Sequence, residues 1–285
     1  MASTIHGMGL GWRPDLPDFR DLNAESDTIK KVLAKSASLR AAAKKLPATI
    51  DLRKWCSPIE DQQELGSCTA NAGVGMYEYF ERRAFGNYVD ASRLFLYKVT
   101  RNLEGTKGDD GALLRDTMKA MVLFGVPPEK YWPYKVGQFN DEPSSFCYSF
   151  AQNYQAVKYY RLDPSGTSPA DALAAIQQNL AAGLPSMFGF SVYSSMPPVG
   201  DGKGEVPMPV KGEALEGGHA VLAVGYDDNK KVGKDKGALL IRNSWGTEWG
   251  DKGYGWLPYA YVKAGLADDF WSMVKGEFVD TDLFK

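Results

Sequence analysis

The spacing of apolar residues changes character along the chain, and this change constrains the fold more than any other feature. Ala70, Gly73, Val74, Tyr77, Phe80 and Ala84 recur at a helical period that Gly86-Asn87 stops. Residues 111–124 give a second amphipathic helix, closed by Gly125-Val126-Pro127-Pro128. Residues 169–182 give a third, with Pro169 in its first turn and Gly183 at its end. Beyond these the pattern shifts. Met187 to Val192, His219 to Tyr226 and Ala238 to Arg242 are short runs rich in Val, Leu, Ile and aromatics, which read as strands. Helices first and strands later predict an α+β protein with segregated halves. A cleft between such halves is a natural place for an active site.

Residues 1–47 differ from the rest. Gly7-Met8-Gly9-Leu10-Gly11-Trp12-Arg13-Pro14-Asp15-Leu16-Pro17-Asp18 reads as extended and loop-like, from its three glycines and two prolines. A helical stretch follows, with Ile29, Val32, Leu33, Ala37, Ala43 and Leu46 mostly on one face and lysines and Arg40 opposite. Ser26 or Asp27 caps it and Pro47 ends it. So modest a stripe must lie against something, so this segment is either a permanent extension or a removable cover. From Ala48 to residue 285 the chain reads as one compact unit.

Composition narrows the function classes. The 33 basic and 35 acidic residues nearly cancel, so no basic excess points to nucleic acid. Lys230 to Lys236 also carries Asp235 and reads as a solvated turn. No stretch approaches the roughly 20 apolar residues of a membrane span. Met1 to Leu10 lacks a basic region followed by an apolar one, so no secretory signal is readable. The default expectation is a cytoplasmic protein, and export by another route would leave no mark here. Three cysteines do not make a disulfide framework. If Cys68 stays free, the one intrachain bridge open is Cys56 with Cys147; reduced buried thiols are the alternative.

Cys68 sits in Asp61-Gln62-Gln63-Glu64-Leu65-Gly66-Ser67-Cys68-Thr69-Ala70-Asn71, where loop becomes helix. A helix N-terminus and a neighbouring imidazolium both favour the thiolate, the form that attacks. Ser67 is positioned as its N-cap. The chain has only two histidines, His6 in the extended segment and His219 at the start of a strand-like run. Asn243 ends the next such run. If the two strands pair across the polar turn 227–237, its amide can accept from one ring N–H and fix the tautomer that faces the thiol. Trp245 then covers that bond, or is simply a core tryptophan. The Gln62 amide and the Cys68 backbone N–H are suitable donors to a developing oxyanion. Gln63, adjacent, fits less well.

Together Gln62, Cys68, Gly218-His219-Ala220 and Asn243-Ser244-Trp245-Gly246 resemble the papain-like cysteine peptidase family, over about residues 48–262. The separation of Cys68 and His219 lies near the family range of roughly 130–150 residues. Trp132-Pro133-Tyr134, Val224-Gly225-Tyr226 and Trp249-Gly250 to Gly253-Tyr254-Gly255 extend the match. The chain departs from the family at Thr69, where a tryptophan is usual, and at Leu65, where a cysteine is usual. The form Leu-Gly-Ser-Cys-Thr-Ala-Asn looks like a prokaryotic subgroup with a short N-terminal prosegment.

The resemblance implies a papain-like two-lobed fold: a helical lobe around Cys68 and a β-barrel-like lobe carrying His219 and Asn243. It implies a cysteine endopeptidase with Cys68, His219, Asn243 and Gln62 at the reacting centre, an acyl-enzyme intermediate, and no metal or cofactor. It implies that Gly66 and Asp109-Asp110-Gly111 offer backbone to a peptide or protein substrate. It places Leu113, Phe188 and Ala220 around the main specificity pocket, with Gly218 and Trp245 beside the substrate. Residues 1–47 are then expected to act as an intramolecular inhibitor of a latent zymogen. A related acyl transfer or amide hydrolysis, and a non-catalytic binding module on the same fold, stay open on the residues alone.

Overall fold

The computed structural model describes residues 2–34, 45–156 and 158–274. The expected helical positions Ala37, Arg40 and Ala43, and the last residues of the 48–285 unit, lie outside the described residues. The chain opens with a hairpin, β1 (Thr4–Ile5) and β2 (Met8–Gly9), turned at His6 and Gly7 with φ of 52° and 80°. Strand β3 (Trp12–Arg13) and helix α1 (Asp27–Leu33) follow. Ser26 stands at the α1 N-cap but caps nothing with its side chain. Its hydroxyl accepts from the Asn23 N–H instead.

Strand β4 (Thr49–Asp51) precedes the helical lobe, which is built on α2 (Cys68–Phe85), α3 (Arg93–Glu104) and α4 (Leu114–Leu123). Helix α2 ends where Gly86 turns left-handed at φ 76°, a conformation open to glycine without strain. Ser92 caps α3 by accepting from Phe95 N–H. The second expected helix begins later than its apolar period suggested, because Ala112–Leu113 form a short strand, β5, paired in parallel with β3. Helix α5 (Ser145–Ala151) and strand β6 (Lys158–Arg161) lead to α6 (Pro169–Ala181), capped by Ser168 with Pro169 in its first turn.

The second lobe is a seven-stranded antiparallel sheet. Its members are β4, β6, β7 (Ser186–Tyr193), β8 (Leu215–Val232), β9 (Asp235–Arg242), β10 (Tyr254–Pro258) and β11 (Ala267–Val274), the last two flanking helix α7 (Tyr259–Lys263). The sheet runs β10-β9-β8-β7-β11-β6, with β4 also on β8. Residues 227–237 are therefore not a polar turn. Strand β8 continues to Val232 and the hairpin reverses at Gly233-Lys234, because Lys231 and Val232 pair with Lys236 and Asp235. Main-chain hydrogen bonds there replace the apolar alternation the sequence lacks. Helix α2 packs on β8, which brings its first residue to the seam between the lobes.

All three cysteines are free and buried, so Cys56 and Cys147 are unbridged thiols. No described helix is long and apolar enough to cross a membrane. No described cluster of His, Cys, Asp and Glu could hold a metal ion.

Candidate active site

Cys68 is the first residue of α2 and is fully buried. Ser67 occupies the N-cap position but makes no cap hydrogen bond. Its hydroxyl pairs with Tyr134 Oη at 2.7 Å and accepts from the Asn71 amide at 3.1 Å, tying the loop to the helix behind the thiol. Burial pushes the Cys68 thiol up to about 11; N–H groups of Ala220, Gly11, Thr69 and Cys68 itself pull the other way.

His219 and Asn243 meet because β8 and β9 are paired neighbours, with Leu222 opposite Arg242. Asn243 follows β9 directly, and its Oδ1 lies 2.7 Å from His219 Nε2. An amide oxygen can only accept, so Nε2 carries the proton in the neutral ring. Nδ1 is buried without a hydrogen-bond partner. It belongs to the residue next to Ala220, whose N–H reaches the sulfur of Cys68. Burial pushes His219 down to about 4, and the bond to Asn243 offsets part of this. The Trp245 ring lies 4.7 Å from the His219 ring, tilted by 35°, and is itself buried.

Gln62 is fully buried. Ser244 Oγ donates to its Oε1 at 2.6 Å, which aims Nε2 the other way. Nε2 donates to Leu65 O at 2.8 Å and to Gly9 O at 3.0 Å. Gln63 is exposed at φ 54° and contributes only its backbone carbonyl, which accepts from Gly9 N–H.

The second bond of Gln62 exposes what sequence reasoning missed. Residues 2–13 run through the cleft. Gly9 and Gly11 press against the loop before Cys68 so closely that an added Cβ would lie 2.2 Å from Leu65 O and 1.9 Å from Gly66 O. Gly11 O accepts from Ala112 N–H at 2.8 Å, and Gly111, at φ 73°, leaves room for that approach. Gly66 donates its N–H to Asp109 Oδ1 at 3.0 Å and lies under Ala2. Gly218 and Asp110 line a recess together with Ser3, Leu10 and Trp12 of the N-terminal segment. Leu113 pairs with Arg13, whose guanidinium meets Glu104. Phe188 departs from its expected place. It is buried and stacks on Phe270 at 4.4 Å, on the strand face opposite Gly189, and Gly189 forms the wall beside Trp12.

The Trp12 indole donates to Asp269 Oδ2 at 3.1 Å. Asp15 N–H donates to the same oxygen at 2.8 Å. Behind them Arg161 pairs with Asp163, Asp268 and Asp269, and Arg115 with Asp21. The signal for this anchor was present in the chain: two acids, Asp268-Asp269, interrupt an otherwise apolar run before Phe270-Trp271.

The family model for papain family cysteine proteases matches residues 46–272. A peptidase C1-like protein of Acanthamoeba polyphaga mimivirus is 36% identical over 282 residues, covering 95% of this chain and 88% of that protein. Gallus gallus cathepsin K is 32% identical over 219 residues, covering 73% of this chain and 58% of its own length. Among solved structures, xylellain, a cysteine protease from Xylella fastidiosa, aligns with a TM-score of 0.74 and 37% identity over 94% of this chain and 97% of that one. Digestive procathepsin L 3 from the Tenebrio molitor larval midgut shares the fold, with a TM-score of 0.64 and 22% identity over 86% of this chain and 79% of its own.

Proposed function

The chain belongs to the papain family of cysteine proteases, and from that premise we propose a Cys68–His219–Asn243 endopeptidase that residues 1–47 hold latent. The supporting observation is the bond from Gln62 Nε2 to Gly9 O. A peptide carbonyl of the chain itself occupies the donor that a reacting carbonyl would need.

In this reading His219 Nδ1 takes the thiol proton, and the thiolate attacks the substrate carbonyl carbon. Asn243 accepts from Nε2–H and fixes the ring so that Nδ1 faces the sulfur. Gln62 Nε2 and the Cys68 N–H stabilise the oxyanion. His219 returns its proton to the leaving amine as the C–N bond breaks, giving an acyl-enzyme. Water, deprotonated by His219, then attacks the thioester. The C–S bond breaks, the acid leaves, and the sulfur takes its proton back from His219.

The closed chain opposes the first step. Burial favours a neutral thiol and a neutral imidazole together. Withdrawal of residues 9–13 admits water and lowers the desolvation cost of the thiolate–imidazolium pair. The domain division follows: residues 1–47 act as prosegment and residue 48 onward as the peptidase.

The test compares the full chain, its Cys68→Ala variant and a chain starting at Ala48 on casein and on an internally quenched peptide. Cleavage by the first and third, faster in the third, supports the reading. Undiminished cleavage by Cys68→Ala would sink it, and equal rates with and without residues 1–47 would remove the latency. An added amine acceptor in the same assay separates hydrolysis from transamidation.

A further inference from the structure

Two stretches of main chain seat Gly11 in the cleft. One is Gly66, in the loop before Cys68. The other is Gly111, at the entry to β5. A Cβ on Gly11 would lie 1.9 Å from Gly66 O, and one on Gly111 would lie 2.0 Å from Gly11 O. The lane between them admits one extended strand, and the seat it offers depends on how the two walls stand to one another. No disulfide fixes that relation, since all three cysteines are free.

A carboxylate fixes it instead. Asp109 Oδ1 accepts from Gly66 N–H at 3.0 Å. Tyr97 Oη donates to the same oxygen at 2.5 Å. The Tyr97 hydroxyl in turn accepts from the Gly111 N–H. These three bonds form a relay from Gly66 through Asp109 and Tyr97 to Gly111, which joins one wall to the other. Its middle is held by α3. Tyr97 is fully buried there, and burial with the Asp109 charge keeps it a neutral phenol, so it has a proton to donate. Arg101, one helical turn on, lies 4.4 Å from the Tyr97 ring and donates to Gly108 O at 2.8 Å. Helix α3 thus grips the loop on both sides of Asp109.

We propose that Asp109 is a positioning residue for peptide substrates: with Tyr97 it sets the spacing of the Gly66 and Gly111 walls, between which the substrate backbone lies. It touches no reacting atom. The proposal rests on the peptidase reading, which gives to substrate the lane that Gly11 holds in the closed chain. A substrate that spans both walls needs the relay, and one too short to reach them does not.

The experiment uses the full chain and its Asp109→Ala, Asp109→Asn and Tyr97→Phe variants, with the double variant Asp109→Ala, Tyr97→Phe. Each receives an internally quenched peptide long enough to span both walls, and p-nitrophenyl acetate, which is not; the rates of the Cys68→Ala chain are subtracted. Release of the N-terminal segment scales both substrates alike, so the ratio of their kcat/KM values reads the walls. Asp109→Ala and Tyr97→Phe are each expected to lower that ratio by about tenfold or more. The double variant should fall no further than the lower single one, because both break one relay. Asp109→Asn, whose amide oxygen can accept both bonds, should stay within about threefold of the parent. An unchanged ratio in Asp109→Ala, additive losses, or an Asn variant as poor as the Ala one overturns the proposal. Tyr97→Phe carries the same test if Asp109→Ala does not fold.

Amide hydrogen exchange, followed by NMR, reads the relay without catalysis. Gly66 and Gly111 are both expected to exchange at least about tenfold faster in Asp109→Ala, although Asp109 accepts only from Gly66. Unchanged protection at Gly111 overturns the relay. Faster exchange at both, with no substrate cleaved by the parent chain, would uphold the relay and sink the peptidase reading instead.

Discussion

Gln62 Nε2 holds the carbonyl oxygen of Gly9 at 3.0 Å, beside a thiol that backbone N–H groups from Gly11 and Ala220 surround. The chain thus puts one of its own peptide groups against the amide donor of its own cleft. Glycine is needed there because the loop before Cys68 leaves no room for a Cβ. The same closeness makes the closed state easy to disturb without touching the peptidase body.

Gly11→Ala places a methyl 1.9 Å from Gly66 O. Overpacking of this kind costs about 1–3 kcal/mol, here charged against docking of the segment. Alkylation of Cys68 by iodoacetamide in the full chain is expected to rise by roughly 5- to 100-fold, with the melting temperature of the body little changed. An unchanged alkylation rate would show that the segment does not control access.

Docking is expected to weaken as pH rises. Burial lifts Asp15 to about 7, the nearby Asp269 adds to the rise, and Arg115 opposes it. Asp269 is itself raised by burial, against the pull of Arg161. Arg161, Asp163 and Asp268 complete the charged surroundings, with Arg115 and Asp21 on the other side. In the released segment Asp15 returns to an ordinary carboxylate value, so protonation favours the docked form. That contribution is full below about pH 4 and is lost as pH rises through about 7, amounting to a few kcal/mol at most. Limited proteolysis of residues 14–22 in the Cys68→Ala chain is expected to speed up from pH 5 to pH 8. Asp15→Asn should flatten this dependence; a wild-type rate independent of pH would contradict it.

Ser244 acts through Gln62. Its hydroxyl bond to Gln62 Oε1 is what turns the amide N–H groups toward the cleft. Gln62→Ala is expected to lower kcat by about 10²–10³. Ser244→Ala is expected to lower it by roughly tenfold with KM nearly constant, and the two losses should not add, because both act on one donor. Additive losses would mean that Ser244 acts elsewhere.

Arg161 is buried among Asp163, Asp268 and Asp269. Arg161→Ala leaves those carboxylates without their cation and is expected to cost about 3–5 kcal/mol in chemical denaturation at neutral pH. Because protonation relieves the unpaired acids, the loss should shrink at acid pH. A variant as stable as wild type at pH 7 would contradict this account.

Much of this was legible in the chain. Helix α2 and its stop at Gly86 follow from period and glycine, and the Cys68, His219 and Asn243 segments stand out because each chemical type is scarce or oddly placed. Helix α3 was not legible. Arg93, Lys98 and Arg101 are buried in it, and buried cations break the polar face that a helical period needs. Arg101 is accommodated by the carbonyls of Lys107 and Gly108, partners no spacing rule supplies. Residues 227–237 looked like a turn because they are polar, yet Lys231 and Val232 pair with Lys236 and Asp235 and carry the hairpin past an irregularity at 228–230. The pocket wall passed from Phe188 to Gly189 because strand alternation sets which of two neighbours faces inward, and one residue reverses the answer.

The sequence by itself determined the order of helices and strands and the set of polar groups, Gln62, Cys68, His219 and Asn243, since these depend on local period and on residue type. It also marked residues 1–47 as different in kind. Only the tertiary structure decided where that segment lies. Gly9 under Gln62, Trp12 on Asp269 and Arg13 on Glu104 join residues about 50 to 260 positions apart. Such contacts follow from how the two lobes close on a third strand of chain, and no local pattern encodes them.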